Sequence, residues 1–449
     1  MSMLVLTACV SDPRPGPTPT PTRTATGVVP APRSFARSAW GTDSFARGST
    51  SYMAVGSTIE HRETLGVALD DRVFFAGEAT SVDHAGTVYG AQRSGNRAAM
   101  QIADVGTADE KIAVVGAGAA GAEAARVLAL RGYDVVVIEA RGRIGGRIQT
   151  VSGDAWPFPI ELGAWRFSPA LDADLLATLG RLGVDTVSVE AAASVYRSET
   201  GESETDPVGP TAVDTALAWA TEQSRDQSLE AALDGSGAAA TAADSTAGEL
   251  PGTELLEQYL AGLATVYGAD AADLSGWFTT DDGLPTTLVT GDLSAAVGDA
   301  LDGVETFLST AVVGVAYNDK RVSLRLGTGE SLAVDRVVVT VPLGVLQDDG
   351  IVFDPLLPFS HRTAISSLGM GTVDTVWLRF DEPFWTTDAV AWNLVGTDDE
   401  ITTWFNLEPL TGEPVLVGLV GGAAAERMEL LDDDELTAAV LATLAPFAA

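Results

Sequence analysis

The sequence predicts an α/β fold in which a parallel-sheet domain is interleaved with a second domain. Three observations carry this reading. Residues 111–140, KIAVVGAGAAGAEAARVLALRGYDVVVIEA, read as strand, glycine turn, helix and strand. Residues 308–326 read as a strand and hairpin, turning at Asn318-Asp319 with period-two alternation in RVSLRL. A length of 449 residues exceeds one small domain and leaves two or three, or two built from interleaved segments.

The first element is the apolar run at 112–115, typical of a strand buried on both faces of a parallel sheet. Gly116, Gly118 and Gly121 then form G-x-G-x-x-G, with Ala120 inside it. The first glycine permits the tight turn, the second lets the backbone approach a pyrophosphate, and the third lets helix pack on strand. Phosphates would sit at the helix amino terminus, where free N–H groups and the dipole favour anions. A second strand at 134–138 ends at Glu139, 18 residues beyond Gly121 and placed to accept both hydroxyls of a ribose. A lone G-x-G-x-x-G is weak; here strand, helix and acid agree on a Rossmann-like dinucleotide site.

Composition narrows the function. Lys plus Arg is 26 and Asp plus Glu 62, giving a net charge of −36 that repels phosphate backbones and excludes general nucleic-acid binding. The same field draws cations such as protonated amines, or serves solubility alone. Hydrophobic residues at 46% exclude global disorder. The single cysteine, Cys9, excludes an intrachain disulfide and a thiolate metal cluster. His61, His84 and His361 are too dispersed for a local ligand motif, so no metal is expected. Lys111 and Lys320 are the only lysines.

Residues 1–32 read as a tether. LTAC, ending at Cys9, resembles a bacterial lipobox, although its apolar run is shorter than a signal h-region and no basic segment precedes it. Either the true start lies upstream or the match is chance. The Pro/Thr-rich stretch at 12–32 suits an extended stalk and favours a lipid anchor at Cys9. The expectation is an extracytoplasmic, membrane-tethered bacterial lipoprotein, otherwise a cytoplasmic protein. No run reaches the roughly 18 apolar residues of a membrane-spanning helix.

The residues after the second strand, E-A-R-x-R-x-G-G-R from Glu139 to Arg147, resemble the FAD signature of glutathione-reductase-like flavoproteins, in their amine oxidase branch. ELGAW at 161–165, LSTAVVGV at 308–315, VDRVVVTVPLGVL at 334–346 and LRFDEPFW at 378–385 extend the resemblance over almost the whole chain. It implies an FAD-binding domain at 33–175 and 286–345, and an α+β substrate domain at 176–285 and 346–449. The stretch 190–260 reads as helices with long loops. The resemblance also implies cofactor contacts: Glu139, Ala140, Arg141, Gly145, Gly146 and Arg147 near ribose and phosphates; Gly163, Ala164 and Trp165 along the flavin; Val312 at adenine. Two segments that come late in the family, 40–52 and 72–99, here precede the glycine motif. They supply Gly77 and Glu78 for the ribityl region, and Thr87 and Val88 opening a helix toward the pyrimidine. The order looks circularly permuted, or rearranged by misassembly or engineering. Permutation requires Ala449 to lie near residues 28–33.

By the same resemblance, the activity is oxidation of an amine's C–N bond by hydride transfer to flavin N5, giving an imine and then an aldehyde. Oxygen or another acceptor takes the electrons. Three departures qualify it. Thr375 stands where the family usually has a lysine linked with oxygen reactivity. Arg379, four residues on, is a poor substitute. Thr50 and Thr87 stand where several members hold the amine between aromatic rings, leaving Trp40, Tyr52, Tyr89 or Trp165 to rebuild that cage or simply to pack the core. Ser49 stands where some members link flavin through cysteine, so FAD is expected to be non-covalent. Alternatives are an amino-acid oxidase, with Arg166 holding a carboxylate, and a flavin-binding protein that has lost turnover.

Overall fold

A computed structural model describes residues 27–448 apart from 190–193, 199–200, 204–206, 248–249, 280–286 and 397–398. Cys9 and residues 1–26 of the expected tether lie outside the described residues, as does Ala449. Among the described residues, no helix is long and apolar enough to cross a membrane.

The first sheet has five parallel strands in the order Glu305–Phe307, Asp134–Ile138, Lys111–Val115, Arg336–Val339, Val73–Phe75. Its inner strands are largely apolar because both faces are covered, whereas the edge strand Glu305–Phe307 is partly exposed. Ile112 and Val114 pack with Ala98, Ile102, Ala124 and Leu128 of the helices Val88–Val105 and Ala119–Leu130. Ala113 and Val115 face the other way, toward Val315, Val322, Leu324 and Phe353. Each buried Val or Ile stabilises the fold by roughly 1.5–3 kcal/mol, so the alternation fixes both layers at once. That second layer is a four-stranded sheet ordered Ser331–Val334, Val322–Leu326, Val312–Tyr317, Val352–Asp354, and it contains the hairpin expected at Asn318-Asp319.

The other large sheet has seven strands: Ser34–Arg37, Val373–Arg379, Val415–Gly421, Thr403–Asn406, Ala391–Leu394, Ser194–Ser198 and Gly201–Ser203. Its pairings are antiparallel except that Ser194–Ser198 runs parallel to Ala391–Leu394. Trp385, Trp392, Trp404 and Phe447 fill its core. A separate layer of helices, chiefly Val208–Thr221, Leu229–Ser236 and Gly252–Tyr267, packs through Ala212, Ala216, Leu233 and Leu263.

Three expectations about segments need correction. Ser34–Arg37 pairs with Val373–Arg379 and so belongs to the seven-stranded sheet, not to the parallel-sheet segment beginning at 33. Val352–Asp354 pairs with Val312–Tyr317, and Phe353, Leu357 and Ile365 pack under the first sheet, so that layer extends past 345 to about Leu368. The stretch 190–260 is not wholly helical, because Ser194–Ser198 and Gly201–Ser203 extend a sheet edge. In each case a strand pairs with a partner far away in sequence.

The early segment 72–105 joins the first sheet as its edge strand Val73–Phe75, and the helix Val88–Val105 leads on to Lys111. At the other end, Gly27 N–H donates to the Ala448 carbonyl at 2.7 Å.

Candidate active site

The carboxyl ends of the parallel strands open onto a cavity of about 870 Å³. Val115 and Gly116, Ile138 and Glu139, Thr340, and Gly77 line one side of it. Such strand ends are where α/β sheets place ligands. Val373, Thr375 and Leu419 of the seven-stranded sheet line another part, with Leu263 and Tyr267 of the helix Gly252–Tyr267.

The sequence-predicted residues converge here. Gly116, Gly118, Ala120, Glu139, Ala140, Arg141, Gly145, Gly146 and Arg147 all line the cavity. So do Gly163, Ala164, Trp165, Arg166, Val312, Gly77, Glu78, Thr87, Val88, Thr50, Trp40 and Thr375. Gly121 stands back from the wall. A Cβ there would overlap the Gly116 carbonyl and lie 3.0 Å from Thr340 Oγ1, so its role is close packing of helix on strand.

The glycine turn presents backbone to the cavity. Gly116 has φ 110°, open to glycine at little cost. Gly118 caps the helix Ala119–Leu130 with no side-chain hydrogen bond, so the first-turn N–H groups meet no capping side chain. An anion placed there satisfies them. Glu139 is buried, accepting the N–H groups of Ala117 and Arg141 at 2.8 Å each. Thr87 caps the helix Val88–Val105 by accepting the Gly90 N–H at 2.9 Å, which points a second helix amino terminus at the cavity. These are the donors and the acceptor that a dinucleotide's pyrophosphate and ribose require, so the residues fit FAD.

A buried ionic network supports this wall. Glu78 Oε1 accepts from Arg147 at 2.9 Å, and Oε2 accepts from the Ser51 hydroxyl at 2.6 Å and the Gly86 N–H at 2.7 Å. Arg62 donates to Ser51 Oγ at 2.8 Å and to the Ala79 carbonyl at 3.0 Å. Burial alone would raise the Glu78 carboxyl, but Arg147, Arg62 and the Ser51 hydrogen bond together hold it below its ordinary value. Arg141 pairs with Asp43 at 2.6 Å, and Arg47 with Asp348 at 2.7 Å.

Arg166 differs from those arginines. Its guanidinium lies 5.7 Å from the Trp165 ring and 5.3 Å from the Phe405 ring. Among the described residues no carboxylate pairs with it. Burial pushes it down to about 10. Asp172, raised by burial, and His84, stacked edge-on against Tyr89 at 5.0 Å, share the lining.

Thr375 offers no cation. Its hydroxyl donates to the Leu162 carbonyl at 3.3 Å, and its N–H to Ser38 Oγ at 2.9 Å. Arg379 donates to the Ala155 carbonyl at 2.9 Å, and neither it nor Lys111 or Lys320 lines the cavity. Ser49 Oγ accepts the Val373 N–H at 2.6 Å. Thr50 and Thr87 are in the lining, and so are Trp40, Tyr52, Tyr89 and Trp165. Trp165 also packs edge-on against Trp377 and Phe405, at 5.5 and 5.4 Å. Among the described residues, no group of three His, Cys, Asp or Glu could hold a metal.

Sequence reasoning missed Arg62, His84 and Asp172. Arg62 reads as one polar residue of a short helix, and nothing in its neighbourhood signals that it turns inward. His84 follows the FAGEAT strand closely enough that its position beside Thr87 was available.

A family model described as "Flavin containing amine oxidoreductase" matches residues 22–103 and 119–449. "Polyamine oxidase 3" of Oryza sativa subsp. japonica is 28% identical over 359 residues, covering 72% of this chain and 70% of that protein. "Probable polyamine oxidase 4" of Arabidopsis thaliana is 29% identical over 344 residues, covering 72% and 68%. Among solved structures, putrescine oxidase bound to putrescine superposes with a TM-score of 0.55 at 22% identity, covering 76% of this chain and 82% of that one. Cyclohexylamine oxidase from Brevibacterium oxydans gives 0.58 at 20% identity, covering 75% and 80%. At these identities the solved structures speak for the fold.

Proposed function

The chain belongs to the flavin containing amine oxidoreductase family, and from that premise we propose how its residues divide the work of oxidising an amine with non-covalent FAD. Bound FAD supplies the hydride acceptor for the carbon beside the amine nitrogen. Gly116, Gly118 and the first turn of Ala119–Leu130 hold its pyrophosphate, Glu139 its ribose, and Val312 its adenine. Gly77 and Glu78 bound the ribityl region, with Arg147 fixed by Glu78. Thr87 and Val88 aim a helix amino terminus at the ring, where it favours negative charge. Trp40, Thr50, Trp165 and Thr375 bound the space left for substrate.

The observation that carries this reading is one cavity shared by the glycine turn, Glu139 and Thr375. Its test is product analysis of the FAD-loaded protein with an amine and amino-acid panel and an artificial acceptor. Aldehyde or keto acid from at least one compound is expected; none from any overturns it.

A second reading is favoured by Arg166. A cation in the cavity whose partners among the described residues are aromatic rings suits a substrate carboxylate, as in an amino-acid oxidase. Under that reading, Arg166→Met raises KM for amino acids by roughly 100-fold and spares simple amines. Equal effects on both would reject it.

Thr375 supports an electron acceptor other than oxygen. The segment order supports a circular permutation, since Gly27 and Ala448 are hydrogen-bonded neighbours. Relinking Ala448 to Gly27 and opening the chain between Val105 and Lys111 should then give a folded, FAD-binding protein; an unfolded product would count against it. The lipobox-like LTAC supports a membrane-tethered lipoprotein outside the cytoplasm. Mass spectrometry should find a diacylglyceryl group on Cys9, and a free thiol there would refute the anchor.

A further inference from the structure

Behind the cavity wall, two carboxyl groups from separate elements grip one segment. Asp374 lies on the strand Val373–Arg379 beside Thr375, and Glu429 ends the helix Gly422–Glu429. Asp374 is 4% exposed. Together they hold the segment 38–42 against the second sheet. Asp374 Oδ1 accepts the Ser38 hydroxyl at 2.6 Å and the Trp40 N–H at 3.1 Å. Glu429 Oε1 and Oε2 accept the N–H groups of Gly41 and Thr42, each at 2.6 Å.

That segment delivers Trp40 to the cavity. Its indole N–H donates to the Leu162 carbonyl at 3.0 Å, the carbonyl that also accepts the Thr375 hydroxyl. Its ring edge stands 3.2 Å from where a Cβ on Gly163 would be. The clamp therefore sets the wall between Gly163 and Thr375.

The hydrogen-bond inventory of the pair leaves one place open. Three of the four carboxyl oxygens accept from the clamped segment. The fourth, Asp374 Oδ2, is buried and receives no hydrogen bond from an amide or hydroxyl. Glu429 is the neighbouring carboxyl that acts on Asp374. Asp374 is buried and Glu429 half-buried; burial and a neighbouring like charge both disfavour the ionised form of Asp374, and a proton on its Oδ2 donated toward Glu429 completes the set.

We propose that Asp374 keeps a proton on Oδ2, that Asp374 and Glu429 act as positioning residues clamping Trp40 into the cavity wall, and that removing this proton loosens the wall. Burial first, and the neighbouring Glu429 next, push Asp374 up to about 8. The clamp is then closed at neutral pH and opens in mild alkali. Among the described residues, the nearby arginines are already paired. Arg37, on the adjoining strand, is paired with Asp433 at 3.2 Å, and Arg427, on the helix of Glu429, with Glu400 at 2.7 Å. Glu426, on the same helix as Glu429, adds further negative charge. The effect on turnover rests on the amine-oxidising reading, whereas the clamp itself does not.

The test is a pH titration of the FAD-loaded protein from about pH 6 to about pH 10, read by near-UV circular dichroism and flavin absorbance. Wild type should show a one-proton transition near 8. In Asp374→Asn the amide donates where the proton did, so the transition should vanish with the low-pH spectrum retained throughout. Glu429→Gln should abolish the same transition by the other partner, which keeps the test alive if one variant does not fold. Trp40→Phe should keep the proton release but lose most of the circular dichroism change. With a turned-over amine, KM should rise above the transition in wild type but not in Asp374→Asn. A wild type without a transition, or a transition surviving in both carboxyl variants, overturns the proposal even if no amine is ever turned over.

Discussion

Glu78→Gln is the most informative single substitution in the wall of the cavity. The side chain is 4% exposed, and the change keeps its shape while removing its charge. Arg62, 3% exposed, then keeps hydrogen bonds to Ser51 and Ala79 but loses its compensating anion. Arg147 loses a charge-assisted bond of 2.9 Å, and the new amide NH2 faces a donor on one side or the other. Breaking a buried pair by neutralising one partner costs about 3–5 kcal/mol. Urea unfolding of wild type and variant at neutral pH should show that loss as a lower midpoint with an unchanged slope. The pH dependence supplies a second check. A carboxyl held low in the fold stabilises it above its unfolded value of 4.5, and that stabilisation is lost as pH falls through the lower folded value. Glu78→Gln should lack this acid-side loss. A cost below about 1 kcal/mol would refute the claim that Glu78 anchors the two arginines.

Three other outcomes follow from the same geometry. Glu139→Ala removes the acceptor of two backbone N–H groups and the expected ribose partner, so FAD should bind about 100-fold more weakly in a flavin-fluorescence titration. Thr375→Lys should speed reoxidation of the reduced protein by air at least about tenfold in stopped flow, since it places an ammonium in a cavity wall that has no lysine. Glu161 is fully buried, its Oε2 receives no hydrogen bond, and burial raises it to about 7. Its protonation stabilises the fold fully below 4.5, and that contribution fades as pH rises through about 7. Glu161→Gln should flatten this part of the stability–pH curve, a difference on the order of 3 kcal/mol across the window.

What could be read in advance was whatever is local in sequence. Gly116, Gly118 and Glu139 serve through a backbone turn and a strand end, and a stretch of about thirty residues specifies both. The alternation in RVSLRL placed a hairpin for the same reason. Arg62, Asp172 and Glu429 could not be read this way. Glu429 bonds to Gly41 and Thr42 across 388 and 387 residues, and Arg62 turns inward to Ser51 and Ala79 through tertiary packing that the pattern of its own helix does not encode. Ser34–Arg37 and Val352–Asp354 were assigned to the wrong layers because strand pairing is non-local. Arg166 lies between these cases. Its neighbours in ELGAWRF pointed to the cavity, but its lack of an anionic partner appears only in three dimensions.

The central claim is that this cavity oxidises amines with FAD, and anaerobic mixing tests it most directly. The FAD-loaded protein should lose its flavin absorbance on mixing with at least one amine or amino acid in the absence of oxygen. Admitting air should restore it slowly, and an artificial acceptor quickly. A flavin that stays oxidised with every compound in a broad panel would contradict the account.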